Sequence, residues 1–317
     1  MKILITGVSG FIGKNLYHFF EKNHNYDMHG IDKEISSEVL NFKQLDIRNF
    51  DSLSEYFNLL KPDIVINCAA RTDLDGASLS DYDSNTLGVH NIVKACELVK
   101  VNKPLLLSFS SMLVCSRGHI PINENDYSAS TFYGTSKVIS ELYTRRYSGK
   151  YVIIRPTSIW GPGFKSPYRN FFEIVRSKKF IAPKHCKLAT KSYGFIENVH
   201  FQIHSIINNI NLFEENNVVY LLDNYTYNIG EWADEISINL GNKNYLKIPY
   251  TIFKSIAYFG ELLSKINIDF PLTIFRFKNM TIDHIIPYDE RFNNLNNIYV
   301  SRKKGVLKTL EWMKNNS

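Results

Sequence analysis

Cysteine is scarce: four occur in 317 residues, at Cys68, Cys96, Cys115 and Cys186, with no C-x-x-C pair and no metal-ligand spacing. That excludes a disulfide-stapled secreted scaffold, and no metal site is expected. Cys68 and Cys96 sit in apolar runs, as buried thiols of a reducing compartment do, so a cytoplasmic protein is expected. Charge is sparse too, at 21% of residues, with a net surplus of +6. The Lys and Arg residues are scattered rather than gathered into a stripe, so no nucleic-acid partner is expected. The tight cluster Arg302-Lys303-Lys304 reads as a solvated face. No run approaches the ~18 apolar residues of a membrane-spanning helix. The most apolar late stretch, Ile248 to Leu263, is broken by Lys254 and Glu261, and no membrane partner is expected. The opening residues MKILITGVSG lack the apolar core of a secretory signal. Internal repeats and flexible linkers are also missing, and the Asn-rich stretch from Asn208 to Asn217 reads as loop.

Apolar residues, by contrast, are plentiful: 44% are hydrophobic and 14% aromatic, which excludes a disordered or fibrous chain. A chain of this length buries a large core as one big domain or two intimate ones. Short apolar runs alternate with helical patterns through the first half. Strands are expected at Lys2–Thr6, Met28–Ile31, Phe42–Leu45, Ile64–Ala70, Pro104–Phe109 and Tyr151–Ile154. Helices are expected at Phe11–Lys22, Phe50–Leu60, Leu87–Val99 and Tyr133–Tyr147. That rhythm predicts an α/β fold, a doubly wound parallel (Rossmann) sheet. It degrades after Trp160-Gly161-Pro162-Gly163. Helical patterns at Phe171–Arg176 and Val199–Ile207 and a core strand at Val218–Leu222 follow, with a mainly helical remainder. We therefore expect a dinucleotide-binding domain over 1–160, a return to it over 190–225, and a smaller substrate lobe within 161–317.

Two constellations carry chemistry. Gly7-Val8-Ser9-Gly10-Phe11-Ile12-Gly13 directly follows the first strand and opens a helix. Glycine is needed where the backbone turns, where it meets a pyrophosphate and where helix and strand pack closely. Asp32 follows 19 residues after Gly13 (32 − 13), at the end of the second strand, where a carboxylate accepts both ribose hydroxyls and repels a 2′-phosphate. This favours NAD over NADP. Asp46-Ile47, after the third strand, falls beside the adenine on the same geometry. The second constellation is Tyr133-Gly134-Thr135-Ser136-Lys137, where i, i+4 spacing puts phenol and ammonium on one helical face. The Lys137 cation is expected to lower the Tyr133 pKa and make proton exchange with a hydroxyl feasible. Ser110-Ser111 sits just past the fifth strand, at the carboxyl edge where open α/β sheets bind ligands.

These motifs, with Cys68-Ala69-Ala70, Phe109-Ser110-Ser111 and the run Arg155-Pro156-Thr157-Ser158-Ile159-Trp160-Gly161-Pro162-Gly163, stand in an order that resembles the extended short-chain dehydrogenases/reductases. Within these, the resemblance is to the NAD-dependent nucleotide-sugar epimerase/dehydratase family. It is dense through about residue 200. It implies NAD held by Gly7, Gly10, Phe11, Ile12, Gly13, Asp32, Asp46, Ile47, Ala69, Tyr133, Lys137 and Pro156. It also implies catalysis by Ser111, Tyr133 and Lys137. Ser111 is chosen over Ser110 because the family's hydroxyl lies four residues before the Tyr of a V-Y-G signature, here Val114-Cys115-Ser116. Asn85 matches a family Asn near the site. Lys191, in a degraded form of the family's R-x-F-x-x-V-D-D-V segment, and Arg276 are candidate phosphate contacts, and Arg71 a candidate substrate contact.

The activity so implied is epimerisation of a nucleotide-activated sugar through a transient keto intermediate, in a homodimer. The alternatives are a nucleotide-sugar ketoreductase or 4-dehydrogenase with net redox change, or an NAD-sensing protein without catalysis. Dehydratases of the family carry an Asp-Glu pair directly after the catalytic hydroxyl residue. Met112 and Leu113 stand there in this chain, and neither exchanges a proton.

Overall fold

The computed structural model describes the chain except residues 117, 120, 215–216, 243–244, 267, 269, 271, 294, 296–298 and 317, and the side chain of 275. Two compact units emerge. The first comprises Met1–Thr157, Ile196–Leu221 and Asp289–Ile298, and the second comprises Ser158–Phe195, Leu222–Tyr288 and Tyr299–Ser317.

The first unit opens β1 (Lys2–Thr6), α1 (Phe11–Asn23), β2 (Asp27–Asp32), β3 (Phe42–Gln44) and α2 (Phe50–Leu60). It continues β4 (Ile64–Asn67), α3 (Leu87–Leu98), β5 (Leu105–Phe109), α4 (Phe132–Thr144) and β6 (Tyr151–Pro156). The second unit then supplies β7 (Ser158–Trp160), α5 (Tyr168–Arg176), β8 (Ile181–Pro183) and β9 (Thr190–Phe195). The chain returns to the first unit with α6 (Ile196–Asn208) and β10 (Val218–Leu221). The second unit resumes with β11 (Thr226–Asn228), α7 (Ile229–Asn239), β12 (Leu246–Ile248), α8 (Tyr250–Ser264), α9 (Ile274–Thr281) and α10 (Arg302–Asn315).

Among the described residues the first unit holds a seven-stranded parallel sheet, in the order β10-β6-β5-β4-β1-β2-β3. All four residues of β4 are buried, which explains a strand with no polar alternation. One apolar cluster joins Leu53 and Phe57 of α2 and Ile92 and Cys96 of α3 to Leu4, Val65 and Leu106 of the strands. α1 packs on α6, where Phe19 stacks on His200 at 5.0 Å and His24 on His204 at 4.0 Å. The strand order reverses between β1 and β4, the switch point where such sheets bind ligands.

Among the described residues the second unit is mainly helical, as expected, through α5, α7, α8, α9 and α10, with short strands beside them. It carries a three-stranded sheet, β11-β9-β7, and a parallel pair, β12-β8. Among the described residues only β9 of its five strands exceeds three residues, and a three-residue strand has no alternation long enough to read. Its core is aromatic: Trp160 lies 4.9 Å from Phe195 and 5.0 Å from Trp232 between ring centroids.

Candidate active site

The glycine loop fits a dinucleotide diphosphate for steric reasons. Gly7 has φ of 70°, and a Cβ there would lie 2.6 Å from the Ala69 backbone. A Cβ on Gly13 would lie 2.3 Å from the Gly7 carbonyl oxygen. Bare backbone at these two positions lets α1 start hard against the sheet edge and leaves the first amides of α1, at Phe11 and Ile12, as an anion cradle. Phe11 and Ile12 open α1 and are half-buried. Asp32 stands at the rim of the cradle, its carboxylate accepting from the Ser9 amide at 2.9 Å and the Glu34 amide at 3.0 Å. Ala69, just past β4, donates its amide to Thr6 Oγ1 at 3.2 Å, and Pro156 closes β6.

Ser111 follows β5 and caps a single helical turn over Met112–Val114, its Oγ accepting from the Leu113 amide at 3.1 Å. Tyr133 lies in the first turn of α4, whose start is capped by Thr131 Oγ1 accepting from the Gly134 amide at 3.0 Å. Gly134 lets these elements meet: a Cβ there would sit 2.4 Å from the Leu113 carbonyl oxygen. That close approach sets the Ser111 hydroxyl near enough to the Tyr133 phenol to draw its pKa down. One turn on, Lys137 is buried and donates from Nζ to the Phe109 carbonyl at 2.9 Å.

The electrostatics correct one expectation. Burial pushes the Tyr133 phenol up to about 12, and the pull downward comes from the neighbouring Ser111, not from Lys137. Burial also pushes the Lys137 ammonium down to about 8, and the neighbouring Cys68 and Glu141 only partly offset it. Desolvation wins at both groups.

A buried hydroxyl pair and a buried amine beside a glycine cradle invite comparison with known proteins. The model of the NAD dependent epimerase/dehydratase family matches residues 3–211. The chain belongs to that family. The putative UDP-glucose 4-epimerase of Methanocaldococcus jannaschii is 30% identical over 50% of this chain and 56% of its own length. The chain thus spans little more than half of that relative. The UDP-glucose 4-epimerase of Vibrio cholerae is 27% identical over 84% of this chain and 83% of its own. The fold matches the crystal structure of UDP-glucuronic acid 4-epimerase from Bacillus cereus in complex with NAD. The TM-score is 0.74 over 99% of each chain, at 17% identity.

The family is NAD-dependent. The remaining expected contacts fall into place unevenly. Asp46 spends its carboxylate on Arg48, at 2.6 Å, and that hydrogen bond holds its pKa down. Ile47 is buried and packs close to Gly88 of α3. Asn85 is fully buried: its amide nitrogen donates to the Arg71 carbonyl and Ser136 Oγ, both at 2.9 Å, and its oxygen accepts from the Arg71 amide. It clasps the loop after β4 to α4. Arg71 pairs with Asp73 at 2.9 Å, its guanidinium 5.2 Å from the Tyr82 ring centroid. Lys191 and Arg276 belong to the second unit, where Lys191 Nζ donates to Asn279 Oδ1 at 3.3 Å and the Arg276 amide to Thr273 Oγ1. Cys115, in the family's Tyr position, is buried and its thiol donates to the Asp126 carbonyl.

The sequence reading missed a buried network beside Ser111, Tyr133 and Lys137. Glu141 accepts from Ser110 Oγ at 2.5 Å, Tyr127 Oη at 2.9 Å and Arg155 at 2.8 and 2.9 Å. Arg155 also donates to Tyr220 Oη at 3.0 Å and the Glu124 carbonyl at 2.7 Å. Desolvation opposes the Arg155 charge, and the Glu141 hydrogen bonds overcome it. The signals were present: Glu141 is i+4 from Lys137, and Arg155 is a charge inside an apolar strand.

Proposed function

We propose that the protein epimerises a nucleotide-activated sugar, with NAD bound at the glycine loop and Asp32. The observation that carries this reading is the meeting of Ser111, Tyr133 and Lys137 in one buried site at the carboxyl edge of the sheet. The relatives' names, 4-epimerases of UDP-sugars, support the substrate class. NAD, when bound, supplies a reversible hydride acceptor. In its phenolate form Tyr133 takes the proton of the reacting sugar hydroxyl, becoming the phenol, and gives it back when hydride returns. Ser111, close to the phenol, steadies the sugar oxygen as it gains carbonyl character. Lys137 supplies a buried positive charge one helical turn from Tyr133, where it would hold the ribose of the bound NAD. Met112 and Leu113 offer no acid or base for loss of water, so the keto sugar is held intact.

A cytoplasmic location accords with four free thiols. A homodimer accords with Leu87, Leu98 and Leu142, exposed apolar residues of α3 and α4.

Mass spectrometry of nucleotide sugars incubated with protein and NAD tests the function. The expected product is isobaric with its substrate, and Tyr133→Phe abolishes its formation while NAD still binds. A product lighter by one water refutes the reading in favour of a dehydratase. A change of two hydrogens refutes it in favour of a ketoreductase or dehydrogenase.

A further inference from the structure

A helix packed on one side of a domain normally turns a polar face outward. α8 does not. Phe253, Ala257 and Gly260 are buried and define its inward face. Contact there is tight, since a Cβ on Gly260 would lie 2.1 Å from the Leu272 carbonyl oxygen. At 100° per residue, the opposite side carries Tyr258, Phe259, Leu262 and, two residues beyond the helix, Ile266, with exposed Thr251 and Ser255 on the same side toward the helix start and Ile252 at the margin. The five apolar residues are 57, 56, 62, 63 and 51% exposed. The second half of α8 is thus apolar on its outward side as well, and an exposed apolar patch of this kind marks an interaction face.

Charge identifies the occupant. From Lys247 to Lys278 the sequence carries Lys247, Lys254, Lys265, Arg276 and Lys278 against only Glu261 and Asp269. This short segment thus supplies +3 of the chain's +6. Lys254 and Lys265 are exposed along one margin of the apolar stripe, and the Lys254 amine lies 6.0 Å from the Tyr258 ring centroid. Glu261, the carboxylate of α8, is drawn to the Ile274 amide at the start of α9, 3.3 Å away. An apolar, aromatic stripe bordered by lysines, with its carboxylate engaged elsewhere, has the make-up of a helix lying in a bilayer interface. A second copy seated on the same face would bring no free α8 carboxylate to Lys254 and Lys265.

We infer that α8 docks this protein reversibly on an anionic membrane surface, its apolar stripe entering the headgroup region and Lys254 and Lys265 meeting lipid phosphates. Among the described residues no helix is long and apolar enough to cross a membrane. That property, which removed a membrane partner from the expectations above, bears on spanning a bilayer and not on lying in its surface. The inference is independent of the catalytic reading.

Vesicle sedimentation of the full chain tests it. The protein is expected to sediment with phosphatidylcholine vesicles containing about a third phosphatidylglycerol, and far less with phosphatidylcholine alone or in about 0.5 M salt. Leu262→Glu with Ile266→Glu abolishes binding. Lys254→Gln with Lys265→Gln lowers the partition coefficient by roughly an order of magnitude or more, each lysine being worth about fivefold. Far-UV spectra and melting temperatures check that both variants are folded. Should the glutamate variant misfold, the lysine variant alone decides. No sedimentation of the unaltered protein with the anionic vesicles overturns the inference, as does equal sedimentation of a folded variant. A self-associated state that Leu262→Glu dissociates also overturns it and assigns the face to a second copy.

Discussion

Desolvation governs the reactive side chains one by one. Lys137 titrates near 8 when folded and near its ordinary value, about 10.4, when unfolded. The folded state therefore resists the ammonium: folding carries the full penalty below pH 8, and the penalty disappears as pH rises toward about 10.4. Lys137→Met should be more stable than the parent at pH 7 by ~2 kcal/mol, the burial penalty less one lost hydrogen bond. That advantage should shrink between pH 8 and about 10. Buried Cys68 and Cys96, whose thiols burial pushes up, ionise first in the unfolded chain and act oppositely in the same range. The measurement is therefore the difference in urea midpoints between the two proteins at each pH. A constant difference from pH 7 to 10 would show that Lys137 is not desolvated as described. Tyr133 intrudes only above pH 10, where its unfolded phenol ionises before the folded one.

At the scale of elements, α4 is the organiser. Its first turn presents Tyr133, its second Lys137, and its third sends Glu141 to Ser110, the neighbour of Ser111, and to Arg155 of β6. Arg155 and Glu141 are both buried, so removing one partner strands the other charge. Glu141→Ala is expected to cost about 3–5 kcal/mol of stability in urea unfolding, and Glu141→Gln less because an amide keeps part of the network. Equal, small losses would mean that water reaches Arg155 in the mutants. The helix itself was legible, since its apolar period and the i, i+4 pair lie within one turn of sequence. Its partners were not. Arg155 is 14 residues from Glu141 and Ser110 is 31 residues away, and only the closing of β5 and β6 in the sheet brings them together.

For the whole molecule, the decisive feature is that neither unit is one stretch of chain. The polypeptide passes between them after Thr157, Phe195, Leu221 and Tyr288, and again after residue 298. Residues 1–157 alone lack β10, which pairs with β6 through Val218 and Ile153, and α6, which covers the aromatic face of α1. Such a fragment bares an edge on the strand that carries Arg155 and exposes Phe19 and Phe20. It should aggregate or bind a hydrophobic dye, with no cooperative urea transition. A monomeric fragment with a sharp transition by size exclusion and circular dichroism would show that α6 and β10 are dispensable.

The sequence by itself determined whatever depends on near neighbours along the chain. The alternation of apolar runs and helical periods specified the parallel sheet, and the glycine spacing after β1 specified the cradle. The four-residue step from Tyr133 to Lys137 specified a shared helical face. These are matters of backbone sterics and helical period, which act over a few residues. Only the tertiary structure decided which groups lose water and whom they meet. It set Ser111 against Tyr133 through the bare backbone of Gly134, and let burial outweigh the Lys137 charge at the phenol. It also bonded Asp46 to Arg48, and turned the apolar face of α8 outward. Desolvation and long-range contact are properties of the packed chain, and no local pattern of residues encodes them.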